Sequence, residues 1–168
     1  EWDAFPWTGD GAAAEAWRRA ETGIEVVDAA MRELWVTGRM HNRARMLVAS
    51  LLTKNLGVHW RVGQAWFSDT LTDWDPASNA MGWQWAAGSG PDAAPFFRIF
   101  NPDTQAEKFD PMRRYRAAWL PETAARRDAD APGWAWFEAT PRSWNQRPDR
   151  PRPAPRIDLK ESRRTALS

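Results

Sequence analysis

The chain has 168 residues, a net charge of +1, no cysteine and two histidines. Such a length holds one domain with a real core. The balanced charge means that any nucleic-acid contact must rest on a local patch, and the lack of cysteine excludes disulfides, thiolate metal sites and iron–sulfur clusters. Thirteen tryptophans stand beside one tyrosine. Core packing explains a single tryptophan well but explains the set less well, because cores are normally filled with Leu, Ile and Val. No apolar run is long enough to span a membrane. The start, EWDAFPWTGDG, lacks the basic residues and apolar run of a signal peptide. An intracellular protein that does not enter a membrane is expected. The missing initiator methionine suggests a piece of a longer protein.

Residues 12–20, AAAEAWRRA, suit a short helix carrying Trp17. Ile24, Val27, Met31, Leu34 and Trp35 recur at three- and four-residue spacing, which predicts a helix over Ile24–Val36. Thr37-Gly38 ends it, with glycine in the usual left-handed position. A second helix is expected over Asn42–Asn55, with Asn42 as its N-cap. Asn42, Arg45 and Met46 share one side of its first turn, with Arg43 turned roughly a hundred degrees away. A third helix, Val62–Leu71, turns Trp66 and Leu71 inward and leads directly into Asp73–Trp85. Gly88–Pro91 reads as a turn, and 92–101 as an aromatic segment containing Arg98. A short helix around Met112–Trp119 ends at Pro121. Beyond Thr123 the composition shifts, with a polar linker from Arg126-Arg127 and an aromatic patch at Trp134–Phe137. Thr140–Arg156 is rich in proline and arginine, and no stable helix is expected there. Ile157–Leu167 suits one last helix. No repeat and no sustained strand alternation appear, so the fold class is all-α. The division reads as 1–140, a helical domain, and 141–168, a Pro/Arg-rich C-terminal segment.

The chemistry concentrates in TDWDPASNAMGWQW, Thr72–Trp85. Asp73 and Asp75 resemble a carboxylate pair, but no nucleophile, metal-ligand spacing, phosphate loop or Ser/His/Asp set accompanies them. An acid near a dry aromatic surface needs a partner, and Arg45 is the natural one for Asp73. The alternatives are a structural helix-to-loop salt bridge and a pair beside a ligand. Breaking such a pair, if buried, costs about 3–5 kcal/mol. Amides, carboxylates and tryptophans together suit a planar redox cofactor, whose chemistry the protein positions and tunes.

Four motifs then stand in series: MHNRARM at 40–46, DWD at 73–75 with Asn79, GWQWAAGSGPDA at 82–93, and FFRIFNP at 96–102. Together with TGIEVVDAAMREL at 22–34 they closely resemble the FAD-binding helical domain of the DNA photolyase/cryptochrome family, densely from Trp7 to Glu122. PRIDLKESRRTAL at 155–167 resembles that family's C-terminal end. The chain would be the C-terminal part of that domain. The α/β antenna domain would lie outside it, so no antenna chromophore can be named.

The resemblance implies that Asn42, Arg45, Asp73, Trp74, Asp75 and Asn79 bind FAD, with Arg45 paired to Asp73, Trp74 contributing at most backbone, and Asn79 facing flavin N5. It implies that Trp83, Trp60 and Trp7 form a chain of electron-transfer tryptophans from flavin to surface. Asn42, Arg43, Met46, Trp85 and Arg98 match positions that meet a flipped-out pyrimidine dimer and nearby phosphates. The implied enzyme is a light-dependent carbon–carbon lyase in which excited reduced FAD lends an electron to a cyclobutane pyrimidine dimer. Its partner would be DNA containing pyrimidine dimers, and the protein a monomer of the bacterial cytoplasm. Asn42, where (6-4) photolyases carry histidine, points to the cyclobutane dimer. Arg39, Trp74 and Met81 depart from the family pattern. The alternatives are a cryptochrome-like photoreceptor that binds FAD without repair, and a Trp-rich helical module that binds nucleic acid or a partner without cofactor.

Overall fold

The computed structural model describes residues 7–75 and 100–167. Among these, helices carry the fold: α1 (Ala12–Arg18), α2 (Glu25–Thr37), α3 (Asn42–Ser50), α4 (Trp60–Thr70), α5 (Pro102–Phe109), α6 (Arg114–Trp119), α7 (Ala135–Ala139) and α8 (Leu159–Leu167). No strand occurs among the described residues beyond one isolated parallel bridge, Thr8 with Val58. No helix there is long and apolar enough to cross a membrane.

The centre of the fold is α2, which packs against α3, α5, α6 and α7. Its Val27, Ala30, Met31 and Leu34 are buried with Leu47, Val48, Leu51 and Leu52 from α3 and its continuation. Each such side chain contributes roughly 1.5–3 kcal/mol by leaving water. The chain leaves α3 through one wide π turn, Leu51–Asn55, so the whole Asn42–Asn55 span is helical. Its cap differs from the expected one. His41 is the N-cap and its Nδ1 accepts from the Arg43 N–H at 3.1 Å, which makes Asn42 the first helical residue. His59 caps α4 in the same way, through Arg61 N–H at 3.1 Å. The third helix therefore starts at Trp60, two residues earlier than expected.

Two helices were not expected. Asn101 caps α5 by accepting from the Asp103 and Thr104 N–H groups at 3.0 and 3.2 Å, with Pro102 at the first helical position. The other is α7, inside the aromatic patch.

Among the described tryptophans, some fill the core and others clasp the C-terminal segment. Trp17 and Trp136 are fully buried, and the Trp17 indole donates to Val48 O at 3.0 Å. Trp35 stacks on Trp66 with ring centroids 5.4 Å apart, and Trp144 from the C-terminal segment closes on Trp35 at 5.0 Å. That segment also meets the connection between α1 and α2, where Arg156 N–H donates to Thr22 O at 2.9 Å.

Candidate functional site

Gly38 ends α2 at φ +73°, a conformation that suits glycine. A Cβ there would also run into the Thr72 methyl. Gly38 O accepts from Thr72 N–H at 2.9 Å and from the Thr72 hydroxyl at 3.1 Å. The loop that carries Asp73 is thereby clipped to the end of the central helix. From the other side, Arg45 on α3 donates Nε–H to Met40 O at 2.8 Å, which fixes its guanidinium. Its Nη2 then donates to both Asp73 carboxylate oxygens, at 2.9 and 2.8 Å.

The expected Arg45–Asp73 pair is therefore present, but it is not a buried one. The two side chains are 27% and 62% exposed. They line an open cleft of about 790 Å³ with Glu33, Arg39, Met40 and Thr72. Burial pushes the Glu33 carboxyl up from its ordinary value, against a hydrogen bond from the Tyr115 hydroxyl at 3.2 Å. Asp75 is exposed. Trp74 packs against the core, and its buried indole nitrogen has no hydrogen-bond acceptor among the described residues. Arg39, which departs from the family pattern, lies in the cleft beside Arg45.

The first turn of α3 has a second exposure. Asn42 and Arg43 are exposed and Met46 is half-buried. The Arg43 guanidinium sits 3.9 Å from the centre of the Phe109 ring. A third group gathers at the start of α4. Trp60 is buried, and the His59 ring lies 5.6 Å from it and 5.6 Å from Trp7 in an edge contact. Backbone bonds from Thr8 N–H to Gly57 O (2.8 Å) and from His59 N–H to Thr8 O (3.2 Å) hold Trp7 there. Asn79, Trp83, Trp85 and Arg98, and the departure Met81, lie outside the described residues.

The sequence pattern does not single out Met40, Thr72, His59 or Phe109. Thr72 and Met40 act through backbone or hydroxyl groups and leave little trace in the pattern. Phe109 closes a helix that was itself missed. His59 precedes Trp60 directly and was legible as a cap.

The donor set at the cleft suits a heteroaromatic edge. One guanidinium nitrogen serves both Asp73 oxygens, and the carboxylate keeps free lone pairs facing solvent. This set can both donate to and accept from a planar ring system.

A family model described as the FAD binding domain of DNA photolyase matches residues 1–168. The deoxyribodipyrimidine photo-lyase of Agrobacterium fabrum is 58% identical over 120 residues, which cover 71% of this chain and 25% of that protein. The Escherichia coli K12 protein of the same name is 45% identical over 170 residues, covering 99% of this chain and 34% of its own length. Among solved structures, a bacterial class III photolyase from Agrobacterium tumefaciens matches with a TM-score of 0.80 at 46% identity, over 99% of this chain and 35% of that one. A cryptochrome from Synechocystis matches with a TM-score of 0.78 at 38% identity, over 97% of this chain and 34% of that one. The chain spans about a quarter to a third of the length of the curated relatives it matches.

Proposed function

This chain belongs to the family of FAD binding domains of DNA photolyase, and from that premise we propose that it is the C-terminal part of an enzyme that splits cyclobutane pyrimidine dimers in DNA by light. Residues 1–140 are the partial FAD-binding helical domain, and 141–168 the segment strapped across it. The enzyme works as a cytoplasmic monomer on dimer-containing DNA.

One observation carries the reading: the first turn of α3 serves two surfaces. It ties Asp73 through Arg45 in an open cleft, and it presents Asn42 and Arg43 to solvent. Arg45 and Asp73 would hold the flavin, with Asp75 and the backbone of Trp74 alongside, and Asn79 would offer a neutral amide to the ring. When bound, FAD supplies the light-excited electron that opens the cyclobutane ring and takes it back, so the reaction has no net redox change. Pairing with Arg45 fixes which face Asp73 presents.

On the lesion side, a dimer is already poorly paired, so flipping it out costs only a few kcal/mol. Stacking on Trp85 returns about 1–3 kcal/mol per base. Asn42 and Met46 meet the flipped bases, while Arg43 and Arg98 bind phosphate and set register. Trp60 and Trp7, gathered around His59, are the outer members of the electron path whose inner member is Trp83. The curated relatives named deoxyribodipyrimidine photo-lyase support repair over light sensing.

The test is illumination of the full natural protein, loaded with reduced FAD, with a duplex carrying one thymine dimer. Light-dependent recovery of intact thymines is expected. No repair by the flavin-loaded protein would overturn this reading in favour of a photoreceptor. A Trp60→Phe arm should slow photoreduction of oxidised FAD at least tenfold while leaving repair by the pre-reduced enzyme unchanged.

A further inference from the structure

Only two large hydrophobic side chains are strongly exposed among the described residues, Phe109 at 48% and Met112 at 73%. Phe109 ends α5 close to the first turn of α3. Its ring does not fill the core; it carries the Arg43 guanidinium at 3.9 Å and lies 5.3 Å from the Lys108 ammonium. A cation over an aromatic face at these distances is attracted by the ring's electron density. Lys108 also suits the last turn of α5, where a cation complements the helix dipole. That role leaves the stacking of Arg43 unexplained. Among the described residues no carboxylate pairs with Arg43 or Lys108. Two uncompensated cations therefore share one exposed ring, which is the kind of local basic patch that a net charge of +1 conceals.

We infer that Phe109 is a positioning residue for DNA. Its ring holds Arg43 in the rotamer that meets a backbone phosphate beside the lesion, and Lys108 adds a second cation on the same side. An arginine free in solvent samples many rotamers, and binding must select one. A planar guanidinium resting on a ring is already oriented, so less freedom is lost when the phosphate arrives. The inference rests on the repair reading, because it takes DNA as the ligand of Arg43.

The experiment measures dark binding of the full natural protein, loaded with FAD, to a short duplex with one thymine dimer and to the same duplex undamaged, across a salt series. The variants are Phe109→Leu, Phe109→Tyr, Arg43→Ala and the Arg43→Ala/Phe109→Leu double. Leucine keeps an apolar side chain but removes the ring. Phe109→Leu should weaken dimer binding about threefold, the scale of an exposed cation–aromatic contact. It should also lower the salt slope by up to about one phosphate contact. Phe109→Tyr should restore both. In the Arg43→Ala background, Phe109→Leu should change nothing. Wild-type affinity in Phe109→Leu, or an equal loss with and without Arg43, would overturn the positioning role while leaving the repair reading intact. Failure of the wild-type protein to prefer the dimer duplex would overturn the repair reading, and Phe109's role with it.

Discussion

Two regions of this molecule use the same chemistry, guanidinium on carboxylate, to opposite ends. In the first, Arg32 donates to both oxygens of Glu122 at 3.0 and 2.6 Å and to Trp119 O at 3.1 Å. Beside it Arg152 pairs with Asp28 and lies 3.7 Å from Glu122. Asp28 also accepts from Thr22 N–H (3.0 Å), the Thr22 hydroxyl (2.7 Å) and Gly23 N–H (3.0 Å). These side chains are at most 14% exposed, and Asp28 is 0%. In the second region, Asp73 meets one nitrogen of Arg45 and stays mostly in solvent. The first network is buried with both oxygens of each carboxylate engaged, so it holds α2 to the Pro/Arg-rich segment. The second is pinned but unsaturated, which is what a binding site requires. Burial, rather than the ion pair itself, distinguishes the two regions.

The sharpest way to break that contrast is Arg152→Ala. It leaves the Asp28 carboxylate buried without its counter-charge, and removing one partner of a buried pair costs about 3–5 kcal/mol. Urea unfolding at pH 7 measures it. The pH dependence has a fixed sign. Burial pushes the Asp28 carboxyl up from its ordinary value, and Arg152 pulls it back. With a raised folded pKa, protonation favours the fold. The cost of the buried charge is absent below the unfolded value, about 3.9, and grows as pH rises through the folded one. Without Arg152 the folded value rises further, so the variant's deficit at pH 7 should shrink as pH falls. A deficit that stays constant with pH would mean lost packing, not an uncompensated charge.

Asp73→Asn tests the open pair. Exposed pairs contribute about 0–1 kcal/mol, so unfolding should shift by less than that. FAD affinity should fall about tenfold, the scale of one hydrogen bond to a charged group. Equilibrium dialysis of FAD against wild type and variant checks this. An unfolding loss comparable with that of Arg152→Ala would erase the distinction between the two regions.

How much of this was legible follows from whether a residue's partner is local. Val27, Met31 and Leu34 mark α2 by their spacing, and Gly38 marks its end, because one helix states its own period. The pairing of Arg45 with Asp73 was legible because an acid beside an aromatic run needs a cation, and α3, two helices back, supplies one. Its exposure was not legible, since solvent access depends on what packs around it. Asn42 looked like the cap, yet the ring nitrogen of His41 reaches the Arg43 N–H. The start of α5 is written in Asn101-Pro102-Asp103, a cap, a proline and an acid, but it follows directly on an aromatic run whose pattern masks it. The pairing of Arg152 with Asp28 joins a helix to an aperiodic proline segment, and no spacing rule reaches across that distance. The same holds for Arg43 on Phe109.

A third pair, Asp110 with Arg116, lies between the two extremes, and its loss should cost less than that of Arg152. Its side chains are 12% and 6% exposed. Helix α6 has no side-chain cap from Arg113, which precedes it at φ +58°. Asp110 serves instead, accepting from Tyr115 N–H (3.0 Å), Arg116 N–H (3.1 Å) and the Arg116 Nε–H (3.0 Å). Burial works against this carboxylate, but the three donors outweigh it and hold its pKa below the ordinary value. The sign is therefore opposite to that of Asp28. The stabilisation is present above the unfolded value, about 3.9, and is lost as pH falls through the lowered folded one. Asp110→Asn keeps an acceptor for one backbone N–H but loses the charge, so it should cost about 1 kcal/mol at neutral pH. The gap between wild type and variant should close as pH falls, because Asp110 becomes neutral as well. Thermal melts at pH 7 and at decreasing pH follow it. A gap that stays open in acid would show that the shape of the cap, and not its charge, holds the start of α6.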